Sequence, residues 1–272
     1  MNTHEDMAAQ SHHDDLAKML DQEWQTSENN EVIKRLKAGE ELAVVIESLP
    51  GLKEAFKDAL DVIDCSDGRV LLGKKIGLAG SGMLLEDAES DKFVAANRGK
   101  IKIVTSHEDC GAAKILFTAL QSAGKLPAGV NTSDELGTYM AKKLAARLGA
   151  EHYFLPIDKM AKEVHNERAL VLDGTGRFNS TNLKGFPPHF VCSGFGFNLS
   201  PEYMQTEIKT LANIALGGHG LGERFKDDSP FYIMIAAKDS EQLQTITKVA
   251  EAAIKDFGAR TVIKGFLAPE QD

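Results

Sequence analysis

Cysteine is scarce in this chain. Three thiols among 272 residues exclude a disulfide framework and fit a reducing compartment, where thiols stay available to a metal. No apolar run approaches the roughly 20 residues that a membrane-spanning helix needs. The acidic N-terminus has no apolar signal core, so a cytoplasmic protein is expected. No basic stripe interrupts a net charge of −9, which argues against nucleic acid as a partner. Neither a repeat of fixed period nor a long linker occurs. What is present is 43% apolar composition, enough to bury a sizeable core in one large or two small domains.

Residues 1–30 form a polar, acidic segment. Within it Leu16, Leu20 and Trp24 recur at helical spacing, which predicts a helical arm able to dock on a partner subunit. Residues 31–60 read as amphipathic helix broken at Pro50-Gly51. Further helices are predicted at 111–120, 133–148, 201–216 and 240–257, and strands at 75–78, 101–105, 152–157, 169–172, 190–192, 231–236 and 261–266. Asp134 and Glu135 open the helix at 133–148 and Gly149 ends it; Ser240 is the N-cap candidate of the last helix. Strands alternating with helices predict an α/β fold with a mainly parallel β-sheet flanked by helices. The expected organisation is an arm at 1–30 and one α/β domain at 31–272. Residues 181–272 would be a C-terminal extension, and 174–188 an irregular boundary. The order G-x-x-G-x-G at 77–82 is not a dinucleotide fingerprint and fits close backbone packing instead.

Chemistry concentrates in two short segments. Cys65-Ser-Asp67-Gly-Arg69 follows an apolar strand, and His107-Glu-Asp-Cys110 follows another. Two cysteines and a histidine are a three-ligand set for zinc with one position open, the mark of catalytic rather than structural sites. Period-two alternation would place Cys65, Asp67 and Arg69 on one side. A helical turn after the second strand would place His107 and Cys110 on one face. Both segments would then meet at the carboxyl ends of parallel strands, where α/β sites form. His189-Phe-Val-Cys192 repeats H-x-x-C but has no C-x-D-x-R partner, so Cys192 reads as a buried thiol.

The joint pattern C-x-D-x-R then H-x-x-C resembles the β-class carbonic anhydrases. The likeness runs from about residue 59 to 113, with Gly68 where the first motif usually carries serine. An Arg-Asn pair usual between the motifs is missing at 77–81; Asn97-Arg98 occurs later in reversed order. The resemblance implies a β-carbonic-anhydrase-like sheet with an N-terminal helical arm and assembly into a homodimer or larger homo-oligomer. It implies Cys65, His107 and Cys110 as ligands of Zn2+ and Asp67 with Arg69 as a catalytic dyad. It further implies hydration of CO2 to bicarbonate by zinc-bound hydroxide. Asp67 would orient that hydroxide, and Arg69 would keep Asp67 off the metal; released, Asp67 would become a fourth ligand and close the site.

Two thiolate ligands make bound water less acidic than three imidazoles would, so activity should favour alkaline pH. Proton export needs a titratable relay, for which His152, His165, His189 and His219 are candidates by type. The alternatives on the same scaffold are hydrolysis of carbonyl sulfide or carbon disulfide, and a non-catalytic zinc protein closed by Asp67. His165-Asn-Glu167 supplies the H-x-E of a nucleobase deaminase, but no C-x-x-C accompanies it, and that chemistry is rejected.

Overall fold

The computed structural model describes residues 3–70, 72–162, 164–217 and 220–270, with side chains from residue 15 onward. Four helices come first: α1 (Thr3–Glu28), α2 (Glu31–Lys37), α3 (Leu42–Glu47) and α4 (Leu52–Ala55). Asn30 caps α2 by accepting from the N–H groups of Val32 and Ile33. Two four-stranded parallel sheets follow, both flanked by helices, so the chain is α/β.

The first sheet holds β1 (Val62–Cys65), β2 (Lys75–Leu78), β3 (Ile103–His107) and β4 (Glu151–Leu155), in the order β2-β1-β3-β4. Its crossovers are α5 (Asp87–Asn97), between β2 and β3, then α6 (Gly111–Ser122) and α7 (Ser133–Leu148), between β3 and β4. A capping box between Thr132 and Glu135 opens α7, and Gly149, at φ +72°, ends it. The second sheet holds β5 (Ala169–Asp173), β6 (His189–Cys192), β7 (Phe231–Ala237) and β8 (Thr261–Leu267), in the order β6-β5-β7-β8. Its crossovers are α8 (Pro201–Leu216) and α9 (Ser240–Ile254). β5 and β7 are buried along their whole length, as expected of continuous apolar runs in a parallel sheet covered on both faces.

The two sheets therefore repeat one topology. In each, the first strand in sequence pairs with the second and third, and the fourth pairs with the third. Val62 pairs with Lys75 and Ile103, whereas Ala169 pairs with His189 and Tyr232. The intervening segments thus differ in length, and no constant period survives in the sequence. Residues 181–272 supply three strands of the second sheet. The segment 174–188, expected as an irregular boundary, instead joins β5 to β6 within that sheet.

The halves meet where β2 faces β6. Val191 N–H donates to Ser66 O at 3.0 Å, and Ser193 N–H to Gly77 O at 2.8 Å. A Cβ on Gly77 would lie 2.1 Å from Val191 O, so only glycine allows this approach. On one face of the second sheet, Val32, Ile33, Leu42, Val45 and Ile46 of α2 and α3 pack with Val171, Tyr232 and Met234. Helix α1 lies on the same chain as well. Trp24 meets Phe225 edge to face at 5.4 Å, the Arg168 guanidinium lies 4.2 Å from the Trp24 ring centre, and Glu28 pairs with Arg168 at 2.9 Å. Among the described residues no helix is long and apolar enough to cross a membrane.

The junction can be tested at one atom. Gly77→Ala forces the new methyl group against a backbone carbonyl that cannot swing aside, and should cost about 1–3 kcal/mol. A lowered urea midpoint is the expected result; an unchanged midpoint would show that the sheets do not depend on this contact.

Candidate metal centre

β1 and β3 are neighbours and parallel, so their last residues, Cys65 and His107, emerge at the same end of the sheet. Cys110 is the N-cap residue of α6, with extended backbone. Between them Glu108 and Asp109 make a reverse turn in which Asp109 has φ +60°. This corrects the expected helical turn: a left-handed residue, not helical spacing, brings His107 and Cys110 together. The turn is held by Glu108 N–H on Leu155 O at 3.0 Å and Asp109 N–H on Asp134 Oδ1 at 3.1 Å.

Cys65, His107 and Cys110 are all buried, and their ligand atoms lie within 4.8 Å of one another, so the group could hold a metal ion. The sulfurs are 3.8 Å apart. His107 Nδ1 donates to Glu108 O at 2.9 Å, which leaves Nε2 as a buried atom without a hydrogen-bond partner. An imidazole oriented through one nitrogen with the other orphaned towards two thiols suits a metal. Gly80 N–H donates to Cys65 Sγ at 3.3 Å. Gly80 and Ser81 both adopt left-handed backbone to aim it, which is the close packing expected of the glycine-rich segment.

The hydrogen bond between the two thiols lowers the Cys65 pKa against the opposing effect of burial and, together with burial, raises that of Cys110. Burial pulls the His107 imidazolium down, but the adjacent Cys65 thiolate prevails and pushes it up to about 9. A metal would take the place of these protons.

Asp67 and Arg69 do not continue the strand. β1 ends at Cys65, and a turn carries both residues back over the ligand set. Arg69 Nη2 donates to Asp67 Oδ2 at 2.8 Å, Arg69 Nε lies 3.1 Å from both carboxylate oxygens, and the Arg69 backbone N–H donates to Oδ1 at 2.9 Å. Asp67 Oδ2 lies 3.8 Å from His107 Nε2. Arg69 also reaches Asp109 O at 3.3 Å, tying this turn to the one after β3. Buried Lys75 supports the turn from below, donating to Asp67 O at 2.7 Å and Val70 O at 3.2 Å. Burial would raise the Asp67 carboxyl, but His165, Arg69 and His107 hold it well below the usual carboxylate range.

Sequence reasoning named His165 by type only and did not place two carboxylates here, Glu167 and Glu207. Glu167 accepts Gly68 N–H at 3.0 Å, and His165 Nδ1 lies 3.2 Å from Glu167 Oε2 and 3.8 Å from Asp67 Oδ1. Both are buried, and with Asp67 they form a second tight donor cluster. The H-x-E spacing was visible, but not the site it joins. Glu207 of α8 is the other: it accepts Ala79 N–H beside Gly80 and the Cys192 thiol at 3.2 Å. Cys192 is thus a buried thiol on the second sheet, as expected. Burial pushes the Glu207 carboxyl up to about 7.

The other candidates lie elsewhere. His152 bonds Ser106 Oγ at 2.9 Å, and His189 donates to Pro187 O at 2.7 Å, with burial taking its pKa down to about 4. His219 lies outside the described residues. Asn97 and Arg98 bond Phe93 O and Arg147 O, away from the cluster. Comparisons of the chain with protein-family models, curated proteins and solved structures find no match.

Metal analysis should find one ion per chain. Cys65→Ala and Cys110→Ala should lose it and Cys192→Ala should keep it; retention in the first two would refute the ligand set. A second expectation concerns Glu207. Its folded pKa is about 7, against an ordinary 4.5, so between those values the folded state holds a proton that the unfolded state releases. Its contribution is full below the lower value and is lost as pH rises through the upper, on the order of 3 kcal/mol in all. Relative to wild type, Glu207→Gln should flatten the fall in stability between those pH values; an identical slope would contradict it.

Proposed function

We propose that this chain hydrates CO2 to bicarbonate at a zinc centre held by Cys65, His107 and Cys110, on a β-carbonic-anhydrase-like scaffold. Assembly into a homodimer belongs to the same proposal. The observation that carries it is the position of Asp67. Its Oδ2 faces the buried, unpartnered Nε2 of His107 across 3.8 Å, while Arg69 grips the same carboxylate through side chain and backbone.

The donor set supports zinc. Two sulfurs bound at about 2.3 Å in a tetrahedral zinc site lie about 3.8 Å apart, matching the 3.8 Å between Cys65 and Cys110. Zinc held there would lower the pKa of water, so that a nucleophile would exist near neutral pH. Asp67, kept ionised beside Arg69 and His165, is an acceptor only and would orient the nucleophile by accepting its hydrogen bond. Arg69 fixes Asp67 through charge-assisted bonds. Its further bond to Asp109 O keeps the Asp67 turn in step with the turn that carries Cys110. The burial of all five side chains suits a small, uncharged, linear substrate. The reach of Asp67 Oδ2 also favours one second reading, a site that this carboxylate closes as a fourth ligand.

Stopped-flow CO2 hydration with metal analysis separates the two. Wild type should be active with zinc in place, more so towards alkaline pH. Arg69→Ala should keep zinc and lose activity, because Asp67 is freed to ligate. Asp67→Ala should also keep zinc and lose rate on the order of 10²-fold through poor orientation of the nucleophile. Equal rates in wild type and both variants would remove the dyad from catalysis. A wild type inactive across roughly pH 7–9 with its zinc bound would favour the closed site.

A further inference from the structure

The two oxygens of Asp67 have different surroundings. Oδ2 faces His107 Nε2, the ligand side. Oδ1 takes the Arg69 backbone N–H at 2.9 Å and has His165 Nδ1 at 3.8 Å. His165 is in turn held by Glu167, 3.2 Å away, and Glu167 accepts the N–H of Gly68, the residue next to Asp67. These groups are buried, and His165 and Glu167 lie in the segment that leads into β5, one of the two inner strands of the second sheet.

Gly68 explains how that segment comes so close. A Cβ there would lie 2.3 Å from His189 O and 3.0 Å from the Glu167 carboxylate. The serine usual at this position in the motif that the chain resembles would therefore collide with the second half. Glycine lets the Asp67 turn seat against it.

We propose that His165 and Glu167 are positioning residues that latch Asp67 away from the metal, so that the second half of the chain keeps the site of the first half open. Glu167 fixes the backbone of the turn at Gly68, and His165 stands beside the other oxygen of the carboxylate, 3.8 Å from Oδ1. Arg69 alone grips both oxygens from one side chain and could follow Asp67 in a rigid swing of the turn. The Glu167–Gly68 bond opposes that swing because its anchor belongs to the second sheet. The inference rests on the metal-centre reading but not on CO2 being the substrate.

The test uses the full chain loaded with cobalt(II) in place of zinc, titrated with azide and followed by the visible cobalt spectrum. An open metal position takes azide; one filled by Asp67 does not. Wild type should bind azide. Glu167→Ala should keep one cobalt per chain while its apparent azide dissociation constant rises about tenfold or more, as expected when the open fraction falls to about a tenth. His165→Asn, which leaves the Glu167–Gly68 bond in place, should shift in the same direction. Glu167→Gln retains an acceptor for Gly68 N–H and should recover most of the affinity. Adding Asp67→Ala to Glu167→Ala removes the closing carboxylate and should restore azide binding to within about threefold of wild type, which a merely misfolded site would not do. The latch is overturned if the single variants titrate like wild type, if the double variant binds as weakly as Glu167→Ala, or if cobalt-loaded wild type itself refuses azide. A wild type that takes up no cobalt overturns the metal centre and the latch with it.

Discussion

The buried pair of Asp67 and Arg69 is the interaction on which the rest of this structure depends. Taking both charges out of water carries a heavy desolvation cost, which is recovered only when the remaining donors and acceptors are satisfied. The chain does this with backbone as much as side chain. Arg69 bonds Asp67 three ways and also Asp109 O, while Lys75 covers Asp67 O and Val70 O. The pair is thus less a local salt bridge than a knot between the turns that follow β1 and β3. Those turns carry the metal-ligand candidates, so the geometry of the ligands follows from the satisfaction of the pair.

That knot is backed by the second sheet. The β2–β6 contact at Gly77 brings the two sheets together, and Gly68 lets the Asp67 turn press on His189 O and Glu167. Both glycines are needed for space rather than for turn conformation. The same topology occurs twice, but the chemistry does not. Where Cys65 pairs with Leu78 in the first sheet, Leu172 pairs with Cys192 in the second. Cys192 is then consumed by Glu207, which supports the loop that donates to Cys65. One half carries the candidate ligands, and the other packs against the turns beside them.

Much of this was legible in the sequence where the determining forces are local. The helix Ser133–Leu148 was located from its first-turn acids and its terminal glycine, both of which the structure uses. Strands β5 and β7 announced themselves as continuous apolar runs because both their faces are buried. The last helix was less well placed. Asp239, not Ser240, caps it, and after Ile254 it tightens into turns broken at Gly258, φ +57°, the residue expected to end it. Cys65, His107 and Cys110 were found from spacing, and they converge, though through a left-handed Asp109 that spacing could not reveal. What stayed hidden is non-local. Glu167 meets Gly68 across 99 residues, and Glu207 meets Ala79 across 128. The duplicated topology was hidden too, because unequal crossover lengths erase any period.

The single-chain junction of the two sheets also changes how the site responds to dilution. Were His165 and Glu167 supplied by a separate molecule, their presence beside Asp67 would rise and fall with protein concentration. Here they belong to the same folded chain and follow β4 by the short run from Pro156 onward, so their place beside Asp67 does not depend on protein concentration. The environment of Asp67 is therefore a property of each molecule.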